Sequence, residues 1–103
     1  MEEYKIIYKI LRALEKEYKG ENTDKAYTAG ALEINEVYWG NLIQSLLKSG
    51  YIEGVRVTKN VFDETLLDCR HIKITLDGLD YLRNNNKMRQ IAKFVLGHIV
   101  VMV

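Results

Sequence analysis

The chain has 103 residues, a formal net charge of +1 and a single cysteine, Cys69, and 48% of its residues are hydrophobic. This length is enough for one domain with a core of its own. The lone cysteine excludes an intramolecular disulfide and is typical of the cytoplasm. Because most sequence-independent affinity for nucleic acid comes from phosphate neutralisation, a near-neutral chain cannot rely on bulk charge for such binding.

Neither end of the chain predicts export or membrane attachment. The first residues are polar and acidic, unlike a secretory signal peptide. The apolar stretch after Phe94 has about 10 residues, roughly half of what a membrane-spanning helix needs. We therefore predict a cytoplasmic protein without a membrane segment.

Two helices are predicted before residue 34. Apolar residues at three- and four-residue spacing predict the first over 3–19, and a loop at 20–23 separates it from a short helix over 26–32. The other side of the first helix carries a basic stripe, which we interpret as a solvated face. The stripe comprises Lys5, Lys9, Arg12 and Lys16.

Residues 31–52 have the pattern of a helix-turn-helix. Asn35 is placed to cap a helix over 36–49, because its side-chain oxygen can accept a hydrogen bond from an unpaired backbone N–H. Gly50 ends this helix as a residue that is free to adopt the left-handed conformation. The residues expected in the interior are Ile34, Trp39, Leu42, Leu46 and Ile52.

A β-hairpin is predicted next, with strands over 51–58 and 70–75. Gly54 is expected at a bulge or bend in the first strand. A solvated loop rarely holds several large apolar residues, so we expect part of the tip at 59–69 to fold back on the body or to meet a partner. The apolar residues of the tip are Val61, Phe62, Leu66 and Leu67.

Two helices complete the predicted fold. Thr75 is expected to cap a helix over 76–84, asparagines at 84–86 break it, and a last helix runs from 87 to about 102. The fold class is therefore mainly α, within α+β: a winged helix-turn-helix with a two-stranded wing and two additional C-terminal helices. We assign residues 1–86 to the winged-helix domain and 87–103 to a C-terminal helix that packs or dimerises.

Residues 74–82 read ITLDGLDYL, residues 47–55 read LKSGYIEGV, and residues 81–88 read YLRNNNKM. The first of these segments resembles the winged-helix superfamily generally, and the three together resemble the YjcQ family. The resemblance covers roughly residues 4 to 93. It implies a winged-helix fold and a setting in Firmicutes, often within prophage regions, and it implies no catalytic motif.

The outward face of the predicted third helix holds the candidate DNA-binding residues. In a helix-turn-helix, this helix enters the major groove, where asparagine and glutamine can bond adenine at two atoms. Its acidic start at Glu36 and the acidic wing tip argue against DNA, and the alternative is a protein–protein interaction module that reuses the fold. The candidates on the groove side are Asn41, Gln44, Ser45 and Lys48, and those for the DNA backbone are Tyr38, Arg56 and Lys59.

The apolar C-terminal helix predicts a homodimer. A helix that is hydrophobic on most sides is buried from more than one direction, and a 103-residue monomer covers only one of its faces. The alternative is that this helix lies across the first helix and completes a monomeric core. The candidate interface residues are Phe94, Val95, Ile99 and Met102.

The sequence lacks the patterns of an enzyme or a metalloprotein. Cys69 and His71 lie two residues apart, but zinc sites need three or four ligands, and the only other histidine is His98. A lone cysteine near a strand end is usually packed rather than reactive. We therefore predict no catalytic residue, no cofactor and no metal.

Overall fold

A computed structural model describes the backbone of residues 2–100 and the side chains of residues 2–95. Over this part of the chain there are five helices and four short strands, which makes the protein mainly helical with antiparallel β-structure. In chain order they are α1 (Glu2–Tyr18), α2 (Ala29–Leu32), α3 (Glu36–Lys48), β1 (Ile52–Glu53), β2 (Arg56–Lys59), β3 (Thr65–Asp68), β4 (Lys73–Ile74), α4 (Leu76–Asn84) and α5 (Asn86–Val100).

Helix α1 is the centre of the core. It packs against β4, α4 and α5, and Ile10 and Leu11 have no exposed surface. From the other elements, Ile43 of α3 and Met88 of α5 are equally inaccessible. The first turns of α5 therefore belong to the same hydrophobic cluster as α1 and α3.

Local capping signals position the helices as predicted. The side-chain oxygen of Asn35 accepts hydrogen bonds from the backbone N–H groups of Val37 and Tyr38, which satisfies two of the unpaired donors at the start of α3. Thr75 accepts in the same way from Gly78 N–H at the start of α4, at 2.9 Å. Gly50 has a φ of +80° at the end of α3, as predicted.

Helix α2 is shorter than the prediction of 26–32. It begins at Ala29 because Thr28 is its N-cap and accepts a hydrogen bond from Ala31 N–H at 3.3 Å. The residues before it include Asp24 and Lys25 with positive φ, a conformation that cannot continue a right-handed helix. The prediction placed this start one turn too early.

The hairpin differs most from the prediction. The segment assigned to a loop tip contains a strand, β3, which pairs with β2 in the register Arg56↔Asp68 to Lys59↔Thr65. The predicted partner strand at 70–75 is reduced to β4, which pairs only with β1. The cause lies at Gly54, whose φ of +78° interrupts the first strand between β1 and β2.

The turn between β2 and β3 is held by Asn60, whose side-chain oxygen accepts from Phe62 and Glu64 N–H. Of the apolar residues around it, Leu67 is half-buried and packs against the core, whereas Val61 and Phe62 are 93% and 78% exposed. One strand of the tip thus folds back on the body, and the turn itself does not. Over the described residues, no helix has the length and apolar character to cross a membrane.

Candidate nucleic-acid interface

The burial of one face of α3 determines which side chains it presents to solvent. Leu42, Ile43 and Leu46 point into the core. Residues at the intervening helical positions must point outward, and Asn41, Ser45 and Lys48 are exposed. Trp39 anchors the helix at its start, because its ring Nε1 donates a hydrogen bond to the Tyr27 backbone oxygen at 2.8 Å.

Two of the candidate base-reading side chains bond to their own helix. Gln44 Nε2 donates to the Gly40 backbone oxygen at 3.3 Å, and Ser45 Oγ donates to the Asn41 backbone oxygen at 2.9 Å. To contact a base, Gln44 would exchange that long hydrogen bond for one to DNA. The amide of Asn41, which is exposed, is the better placed of the two.

Tyr38 lies beside the start of α1. Burial and the nearby carboxylates of Glu3 and Glu2 raise the pKa of its phenol. The ring is half-buried. A phosphate at this hydroxyl would therefore approach two carboxylates as well.

Carboxylates lie beside the cations of the hairpin. Asp68 accepts from Arg70 Nε at 3.0 Å and from Arg70 Nη2 at 2.8 Å, and Arg56 lies opposite Asp68 in the strand register. These guanidinium groups hold the pKa of Asp68 well below its usual range. Lys59 Nζ is 3.3 Å from Asp63 Oδ1. Arg56 and Lys59, the two hairpin residues predicted to contact the DNA backbone, therefore each face a carboxylate.

A groove of about 660 Å³ separates α3 from β3. The ten residues that line it include two carboxylates, Glu36 and Glu64, and no basic side chain. Gly40 forms part of its floor, where a Cβ would meet Leu67 Cδ1 at 3.6 Å, an ordinary contact. Sequence reasoning missed this groove because it exists only if β3 is a strand.

The positive charge of the molecule is concentrated elsewhere. A second cleft, of about 690 Å³, lies between α1, α4 and α5 and contains four basic side chains and one carboxylate. Of the basic stripe of α1, which the sequence predicts to be a solvated face, only Arg12 lines this cleft. The basic residues are Arg12, Arg83, Arg89 and Lys93.

Cys69 is half-buried near the hairpin. Burial and the adjacent Asp68 carboxylate raise the pKa of its thiol, which lowers its thiolate fraction and hence its reactivity. Among the described side chains, no three or more His, Cys, Asp or Glu residues are grouped to hold a metal ion.

These elements define a small, mainly helical α+β protein with an antiparallel hairpin between its third and fourth helices. A family model described as YjcQ protein matches residues 8–96. The chain therefore belongs to the YjcQ family, and the match extends from α1 into α5. No curated protein and no solved structure matches the chain.

Proposed function

We propose that the protein is a small cytoplasmic winged-helix DNA-binding protein with a regulator-like role of the phage or prophage type. In this proposal α2 and α3 form the helix-turn-helix, and β2 and β3 form the wing. The observation that carries it is the capped and anchored α3, which exposes Asn41, Ser45 and Lys48 and whose Asn41 lines a groove shared with β3.

Base contacts would supply most of the sequence selectivity. An amide can bond the N6 and N7 atoms of adenine together, and each such pair is worth about 1–3 kcal/mol of discrimination. Asn41 and Gln44 are the amides of this helix edge. The hairpin cations would add little, because Arg56 and Lys59 already face carboxylates.

Selection from a duplex library with a random 20-bp centre tests this function. We expect the native chain to enrich an adenine-containing sequence class, and we expect the Asn41→Ala/Gln44→Ala variant to lose that class. Sequencing of the selected pools measures the enrichment. The matched control is Asn84→Ala, which removes an exposed amide from the end of α4 instead, outside α3 and the hairpin. An unchanged enrichment in the double variant, or none with the native chain, would contradict the proposal.

A second candidate function is a protein–protein interaction module. It is favoured by Val61 and Phe62, which are exposed at the hairpin turn, and by the acidic groove beside α3. Exposed large apolar residues grouped together are typical of interaction surfaces. This function predicts that the selection above enriches nothing.

We also propose a homodimer formed through α5. Phe94 and Val95 are 69% and 46% exposed. The other two predicted interface residues, Ile99 and Met102, cannot be assigned an exposure, because the side chain of Ile99 and the whole of Met102 lie outside the described part of the chain. Burial of these apolar surfaces in a two-fold contact would stabilise a pair of chains.

The Phe94→Glu variant tests the dimer. We expect the native chain to elute with twice the monomer mass in size-exclusion chromatography with light scattering. The variant should elute as a monomer, because a carboxylate would be buried in the contact. Gln90→Glu, which adds the same charge one turn earlier on α5, should remain dimeric. A monomeric native chain would refute the dimer.

A further inference from the structure

The cleft between α1, α4 and α5 is organised around one buried carboxylate. Glu15 is 6% exposed. Its Oε1 accepts from Arg12 Nη1 at 2.7 Å, and its Oε2 accepts from Arg83 Nη2 at 3.1 Å. One side chain of α1 thus holds guanidinium groups from α1 and α4 in fixed positions.

This arrangement leaves positive charge available to a ligand. A single carboxylate neutralises one of the two guanidinium groups, and each guanidinium has five N–H donors. The side chains of Arg12 and Arg83 remain 41% and 54% exposed. Arg89 and Lys93, which line the same cleft from α5, are also exposed. Planar guanidinium groups held in this way suit phosphate oxygens.

The basic character continues across α1. A neighbouring cleft on α1 shares Tyr8 and Arg12 with the cleft between α1, α4 and α5, and it adds Lys9 and Lys16. We call the two clefts together the α1 basic surface. Its six basic residues and two carboxylates give it a net charge of +4, whereas the whole chain carries +1. The remainder of the chain is therefore acidic, with a net charge of −3.

We propose that the α1 basic surface binds the phosphate backbone of duplex nucleic acid. Lys9 and Lys16 lie seven positions apart on α1, a distance of about 10 Å along the helix. Duplex DNA carries one charge per roughly 1.7 Å of its axis, so a surface of this length faces several phosphates. A small anion would occupy only one of the two clefts.

This surface is separate from the α3 edge. None of the residues that line its two clefts belongs to α3 or to the hairpin. The proposal therefore stands whether or not α3 reads a base sequence, and this surface would supply phosphate contacts that are not opposed by the hairpin carboxylates.

Two charge-matched variants of the full chain test the proposal. The cleft variant is Arg89→Gln/Lys93→Gln, and the hairpin variant is Arg56→Gln/Lys59→Gln. Each changes the formal net charge from +1 to −1, and all four residues are exposed, so both variants should fold. The measurement is fluorescence anisotropy of a labelled 20-bp duplex of mixed sequence between 50 and 200 mM salt.

If the surface neutralises about four phosphates, the native affinity falls about 150-fold over this salt range. Loss of two contacts reduces that fall to about 12-fold in the cleft variant. We expect the hairpin variant to change less, because Lys59 forms an ion pair with Asp63 and Arg56 lies opposite the carboxylate of Asp68. This result would support the α1 basic surface as the phosphate contact.

Three results would overturn the inference. Equal losses in the two variants would indicate bulk charge, and a larger loss in the hairpin variant would place the phosphates there. No native binding at 50 mM salt would exclude duplex nucleic acid and favour an acidic protein as the partner. Salt-dependent binding carried by the cleft without any enrichment in the base-selection experiment would support this inference and contradict only base reading by α3.

Discussion

Replacement of Gly54 by alanine is expected to lower the free energy of unfolding by about 3 kcal/mol. Gly54 has a φ of +78°, which an L-residue adopts only at a cost of about 1–2 kcal/mol. In addition, a Cβ at this position would lie 1.9 Å from the His71 backbone oxygen and 2.7 Å from its carbonyl carbon. The obstacle is the backbone of the turn at His71, between β3 and β4, so it cannot rotate away as a side chain could.

Urea denaturation followed by circular dichroism measures this effect. Gly20→Ala is the matched control, because Gly20 has a similar φ of +89° but nothing within 4 Å of the added Cβ. We expect the control to lose only the conformational part, about 1 kcal/mol. Equal destabilisation of the two variants would show that the close approach of the His71 backbone to Gly54 contributes nothing to the difference in stability.

The sequence predicted the helices well because their signals are local. Asn35 and Thr75 act on backbone groups two or three residues away, so their effect can be read from neighbouring positions alone. Strand β3 has no comparable signal. Leu66 and Leu67 adopt a strand because Thr58 and Val57 face them across the hairpin, and that register depends on where Gly54 bends the first strand.

At the candidate site, too, the sequence predicts what depends on local spacing and not what depends on distant parts of the chain. The exposed positions of α3 follow from helical periodicity, and Asn41, Ser45 and Lys48 are exposed. The environment of Tyr38 does not follow from it, because Glu3 comes from a different helix. No spacing rule links residues of α1 and α4 that are 68 positions apart, as the hydrogen bond between Arg83 and Glu15 does.

The carboxylate of Glu15 stabilises the fold through its hydrogen bonds to Arg12 and Arg83, but it lowers the positive charge of the α1 basic surface. The Glu15→Ala variant is expected to lower the free energy of unfolding by about 2 kcal/mol. Each charge-assisted hydrogen bond is worth about 1.5–3 kcal/mol, reduced here because Arg12 and Arg83 are partly exposed and solvent weakens such pairs. The two guanidinium groups would then repel each other without a carboxylate between them.

The same substitution is expected to strengthen binding to the mixed-sequence duplex, because it raises the net charge of the α1 basic surface from +4 to +5. Glu21→Ala is the matched control. It removes one carboxylate from the same surface, but Glu21 is exposed, so the free energy of unfolding should change by no more than about 0.5 kcal/mol.

Urea denaturation and duplex titration of both variants separate the effect of Glu15 on stability from its effect on binding. If Glu15→Ala were as stable as Glu21→Ala, the buried carboxylate would not organise the cleft. If it bound duplex more weakly than the native chain while remaining folded, the positions of Arg12 and Arg83 would matter more than their net charge.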